Sequence, residues 1–511
     1  MKKILLGTVL GFMCLGVPLY VSAQENEMQP DVVAEELPTD EIQENAQEIT
    51  DGAEPMEEEQ NTEGTESKIS PEDKAFLDTV LKLFVPDYRD EMGKTSITKD
   101  GKDYVVTLPM IGEIRCVRIE DLNGYAQYQT ELSTIPVMRP LLGEVQMTNL
   151  KNTVRFVPEF GVVSYQDTTA QEILSDKGLS FKDFVAKRNI SEKTDKMIDV
   201  KTAGSLSQFL FDVPPYLKVA VASIKGESEL ENTRLSDEVL MPLDAQRGSY
   251  ETEIKGFDFA TMLFPVEKVN LNLKTEVEYI NKNDIYESEV DIAVSDINVV
   301  LKDKVLESKM PTYIDFETDA AGFTKEAVLK VYEASKTASL EPGNQALARV
   351  AVEEINKMAQ DVKLDIEKLA FGNENYDVVL SGKAQVFETY TDFDGKLSIR
   401  GFDFISPEPT KIDEAVCEKE KKAMQELVSK SSEGSFSLDY IAQFEKQKET
   451  VQKACVAEEN LLDDLRPFIK TAQKEKDDKG REILVFDIKT NENETFINGE
   501  KSEKLSLKNK E

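Results

Sequence analysis

From residue 269 the chain reads VNLNLKTEVEY, and polarity alternates at every step. Val269, Leu271, Leu273, Thr275, Val277 and Tyr279 are apolar or β-branched; Asn270, Asn272, Lys274, Glu276 and Glu278 are polar. Side chains of a strand point alternately to opposite faces, so this is a strand with one apolar and one wet face. The turn INKNDI follows, then YESEVDIAV. There Tyr286, Ser288, Val290, Ile292 and Val294 share a face opposite Glu287, Glu289 and Asp291. The pair predicts a long hairpin. Its phase breaks at Ser295-Asp296, because Ile297 and Val299 are odd-numbered, which predicts a bulge or bend.

Similar patterns run through most of the chain. SITKDGKDYVVTL centres a hairpin on Asp100-Gly101. GEIRCVRIEDL, NTVRFVPEFGVVSY, YLKVAVASIKGESEL, VKLDIEKLAF, YDVVLSGKAQVFETY, GKLSIRGFDFI, REILVFDIKT and ETFING read as further strands. Three stretches switch to helical spacing. In SPEDKAFLDTVLKLFV, Ser70 caps, Pro71 and two acids open the helix, and Phe76, Val80 and Leu83 form its apolar stripe. Residues 324–362 predict two helices separated by EPGN. Residues 410–475 are a Lys/Glu-rich helical segment broken at KSSEGS, with Ala415, Met424 and Leu427 set to face Ile441, Phe444 and Val451. Strands on both sides make it an inserted helical hairpin; a separate domain is the alternative. The expected fold is α+β and β-rich: a long curved antiparallel sheet with covering helices, spanning 70–505, with final strands at 481–498.

Two segments precede this body. MKKILLGTVLGFMCLGVPLYVSA has a basic start, an apolar stretch and a small-x-small end, so it predicts a secretory signal cleaved after Ala23. An uncleaved anchor is the alternative. Cys14 sits inside the apolar stretch without the small residues that precede a lipidated cysteine, and leaves with the signal. No later stretch is apolar enough to span a bilayer. Residues 24–67 hold sixteen acids and no Lys or Arg, so 24–69 is expected to be a disordered acidic spacer. It could also tether a basic partner or collect Ca²⁺ weakly.

Charge and composition then narrow the function. The chain has 98 acidic against 61 basic residues and a net charge of −37. Nucleic acid and anionic headgroups repel such a chain. It contains no His, which excludes Ser-His-Asp and Cys-His catalysis and His-ligated zinc. SITK fits a Ser-x-x-Lys pattern, but it runs into a hairpin rather than a helix start. DFDG (Asp392, Asp394, Gly395) and KDDKG (Asp477, Asp478, Gly480) lack the full calcium-loop spacing and read as hairpin turns. No catalytic residue, metal ligand or cofactor is assigned; a carboxylate-based hydrolase is the enzymatic alternative.

Two features pair across the chain. IKGFDF at 254–259 recurs as IRGFDF at 399–404. Phe257, Phe259, Phe402 and Phe404 are core aromatics on one reading and groove-lining aromatics on the other. Cys417 and Cys455 flank the break in the helical segment about equally. If its arms fold back, both reach similar heights, which makes them a disulfide candidate in an oxidising compartment. Cys116 shares a face with Ile114 and is expected to be a buried free thiol.

The hairpin DGKDYVVTLP, the strand repeats and FINGEK together resemble, over roughly 94–500, large exported bacterial sheet proteins of the AsmA-like and YdgA-like type. The resemblance implies envelope maintenance or lipid handling and carries no catalytic residue. The expected protein is therefore an exported, non-enzymatic envelope protein, periplasmic or secreted. Its sheet groove would hold a lipid or other apolar ligand. The alternative is a protein-interaction module that engages an envelope partner through the acidic segment and the helical hairpin.

Overall fold

Asn283 and Asp284 both adopt left-handed backbone, with φ of 59° and 62°. Two such residues in a row make the turn whose twist matches a hairpin. They join β12 (Val266–Lys282) to β13 (Ile285–Leu301), two strands of 17 residues. Thr275 faces Ile292, Val277 faces Val290 and Tyr279 faces Ser288, so the apolar faces of both strands coincide. The same neighbour-to-neighbour pairing builds most of the sheet.

The computed structural model describes residues 70–502, apart from 85–94, 109–110, 134–144, 195, 215–216, 262–265, 302–303, 341–344, 388–389, 407–413, 432–446, 448–449, 452–460 and 493. The signal, the acidic spacer and Cys455 lie outside the described residues. The chain is β-rich, 61% strand, and its 21 described strands form one antiparallel sheet that does not close.

The sheet begins with β1 (Ser96–Asp100), β2 (Asp103–Leu108), β3 (Gly112–Arg118) and β4 (Tyr128–Glu131). It continues through β6 (Lys151–Val157) to β7 (Val162–Ser175), which also pairs with the short β5 (Val145–Thr148). Long strands follow: β8 (Leu179–Glu192), β9 (Met197–Val213), β10 (Leu217–Arg234) and β11 (Arg247–Thr261), then β12 and β13. Next come β14 (Tyr313–Thr324), β15 (Lys363–Gly372), β16 (Asp377–Val386) and β17 (Thr391–Arg400). β19 (Glu482–Asn491) pairs directly with β17 and carries β18 (Gln473–Lys476) and β20 (Glu494–Ile497) on its other side; β21 (Glu500–Ser502) ends the sheet. Three of the short edge strands read SITKD, QKEK and EKS and are largely exposed. Charged residues on short edge strands discourage pairing with another chain.

Several helices share buried clusters with strand residues. In α1 (Pro71–Phe84), the Asp73 amide donates to Ser70 Oγ at 3.1 Å, the expected cap. Its Phe76, Leu77, Val80 and Phe84 are buried with Tyr104, Val106 and Phe156. The short α2 (Leu240–Asp244) is held by tyrosines: Tyr279 donates to the Pro242 carbonyl at 2.5 Å and Tyr286 to the Leu243 carbonyl at 2.7 Å. After α3 (Lys304–Lys309), Val331 of α4 (Lys325–Leu340) and Met358 of α5 (Gln345–Met358) share a cluster with Val277, Val290 and Phe316. Residues 402–405 turn into α6 (Phe402–Ile405) instead of remaining in a strand. The helical segment gives α7 (Glu414–Ser431) and a 3₁₀ turn, Leu461–Phe468. Gln447 Nε2 donates to Glu420 Oε2 at 2.9 Å, so the chain folds back against α7 there.

DFDG departs from its expected turn. Asp392, Asp394 and Gly395 lie inside β17, where Gly395 stands opposite Gly382. A Cβ on Gly395 would lie 2.5 Å from Phe393 Cζ, so a ring occupies the space a side chain would need. KDDKG is a turn, with Asp477 Oδ1 accepting from the Lys479 and Arg481 amides.

Cys116 is a buried free thiol, and burial pushes its pKa up to about 12. Cys417 is buried on α7. Non-reducing peptide mapping of the protein made in an oxidising compartment is expected to recover a Cys417–Cys455 cross-link, with Cys116 alkylated only after denaturation. Recovery of both peptides singly alkylated would remove the disulfide. On the loop-entropy model that bond would stabilise the hairpin by roughly 3–4 kcal/mol.

Candidate functional site

The opening strand divides into two environments. Thr275 and Val277 are buried, while Val269, Leu271 and Leu273, on the same face, are only half-buried. The division coincides with a line of irregularity across the sheet. Asp183, Gln208, Gly256 and Asp296 take left-handed φ of 51°, 50°, 62° and 54° on alternate or adjacent strands. Register shifts lie beside them. An extra residue lets two apolar residues three apart keep one face. Hence Phe181 and Phe184, Leu206 and Phe209, Ile254 and Phe257, and Val294 and Ile297 each straddle the line; β12 alone runs through regularly. Asn272 bridges its neighbours there: its Oδ1 accepts from the Gly256 amide and its Nδ2 donates to Asp296 Oδ2, both at 2.7 Å.

Beyond and along this line, apolar residues align into rows across the strands. Leu206, Ile224, Ile254, Leu273, Val294 and Ile314 are successive cross-strand partners. Phe209 faces Val221, and Phe257 faces Leu271. Leu179, Phe211, Val219, Phe259, Val269 and Val299 form the last row. At about 4.8 Å per strand, a six-strand row spans roughly 24 Å. Apart from Val221, which is buried, these residues are half-buried.

Two concavities lie on the other face. One of ≈ 790 Å³ is lined from Glu278 and Glu289 to Lys489, and another of ≈ 760 Å³ from Tyr165 to those same two acids. Acids stand opposite acids here: Glu227, Glu251, Glu276, Asp291 and Glu317 in one row, Glu278, Glu289, Asp319 and Asp365 in the next. Directly opposed like charges destabilise a sheet. Lys274 lies 3.6 Å from Glu251 and Arg247 2.6 Å from Glu278, which offsets part of the repulsion. Burial, then Asp291, Asp319, Glu278 and Glu367, raises the Glu289 pKa. Burial, then Glu317, Glu276, Glu367 and Asp315, raises that of Asp291.

A carboxyl raised in the folded state favours folding once it is protonated. The thermal midpoint is therefore expected to rise as pH falls from neutral towards the ordinary carboxylate range. Below that, exposed pairs whose acids are lowered (Glu253, Glu307, Glu326, Asp477) lose their contribution. Glu276→Gln with Asp291→Asn should raise the neutral-pH midpoint and flatten the slope. An unchanged slope in calorimetry would count against the ladder.

The four phenylalanines of the repeated motif are not brought together. Phe402 is buried with Phe486 and Ile399, and Phe404 packs against that cluster. Phe257 and Phe259 stand half-buried on β11, six strands away, or about 29 Å. The acid ladder escaped sequence reading: its residues were visible, but their register was not. Among the described residues, no three His, Cys, Asp or Glu converge as a metal site, and no helix is long and apolar enough to cross a membrane. No family model matches the chain, and neither does a curated protein or a solved structure.

Proposed function

We propose that the protein is an exported, non-catalytic envelope protein that binds an apolar ligand on the open half of its sheet. One observation carries the reading: rows of aliphatic and phenyl side chains, roughly 24 Å long and half-buried, on a face whose other half is packed by helices. A contiguous apolar patch of this size on a strongly acidic, soluble-looking surface marks an interaction site. The bulge line supports a bend of the sheet beside the apolar rows. The N-terminal signal pattern supports export.

Native mass spectrometry of the detergent-free protein, with lipid extraction of the same sample, tests this. A discrete added mass that vanishes on extraction is expected. Leu271→Asp should abolish it, since burying an unpaired carboxylate against a hydrocarbon is strongly unfavourable. A bare polypeptide mass would sink the proposal.

A second reading is a protein-interaction module. Val350 and Val352 on α5 and Val416 on α7 are about half exposed, at 47%, 50% and 45%. Cross-linking that maps to these helices and not to the sheet face would favour it.

A further inference from the structure

We draw no further inference here: the strongest candidate, the ladder of opposed acids where the two concavities of the sheet's polar face meet at Glu278 and Glu289, is an acidic cluster, and among the described residues no second feature shows what would bind it.

Discussion

Gly248→Val is expected to lose about 3–5 kcal/mol of stability, the sum of overpacking and a broken buried hydrogen bond. Gly248 lies directly opposite Tyr279, and a Cβ there would sit 2.1 Å from the ring's Cε1 and 2.3 Å from Cζ. The ring thus lies across the glycine. It cannot retreat, because its hydroxyl donates to Pro242 on α2 and it packs against Tyr250 and Tyr286. Displacing it frees α2 and opens the cluster beneath. Gly226→Ala is the control. A Cβ there meets nothing closer than 3.8 Å. Denaturant midpoints of the two variants should differ widely; equal midpoints would mean the ring is not pinned.

Phe486→Ala should cost about 3–5 kcal/mol as a large-to-small change in a fully buried site. Phe486 is 0% exposed and packs with Ile399, Phe402, Leu465 and Ile497. Its consequence reaches further than its strand. β19 pairs with β17 from Phe393↔Thr490 to Arg400↔Ile483, across the whole helical excursion. Hydrogen exchange is therefore expected to speed up in β15–β17 as well as β19–β21. Faster exchange confined to residues after 460 would instead mark the separate domain that the sequence left open.

Much of this was readable in advance because it is local. The alternation of VNLNLKTEVEY, the Ser70 cap, the Asn283-Asp284 turn, the phase break at Asp296 and the first hairpin, whose turn falls one residue later than expected at Gly101-Lys102, each depend on a few neighbours. Distant partners decided the rest. IKGFDF and IRGFDF are nearly identical, yet Gly256 sits between paired strands and becomes a bulge. A Cβ on Gly401 would lie 2.2 Å from the Asn375 carbonyl oxygen, and there the strand ends and α6 begins. DFDG looked like a turn because Asp-Gly usually makes one. Gly395 is instead explained by Gly382 and the Phe393 ring, which no local pattern reveals. The open apolar half of the sheet was foreseeable as a question, but its location required the register.

The hairpin topology has a consequence for how the molecule is made. From β8 to β16 each strand's partners are the strands synthesised just before and just after it. Contacts of low sequence separation form fast, and a chain emerging N-terminus first can add them in order. A half-emerged chain would then expose a single growing edge at any moment. The longest wait falls on β19, which needs the helical segment to be made before it can join β17. Until that late step the edge of β17 stays bare, so chains stalled between residues 400 and 482 should be the aggregation-prone species of this protein.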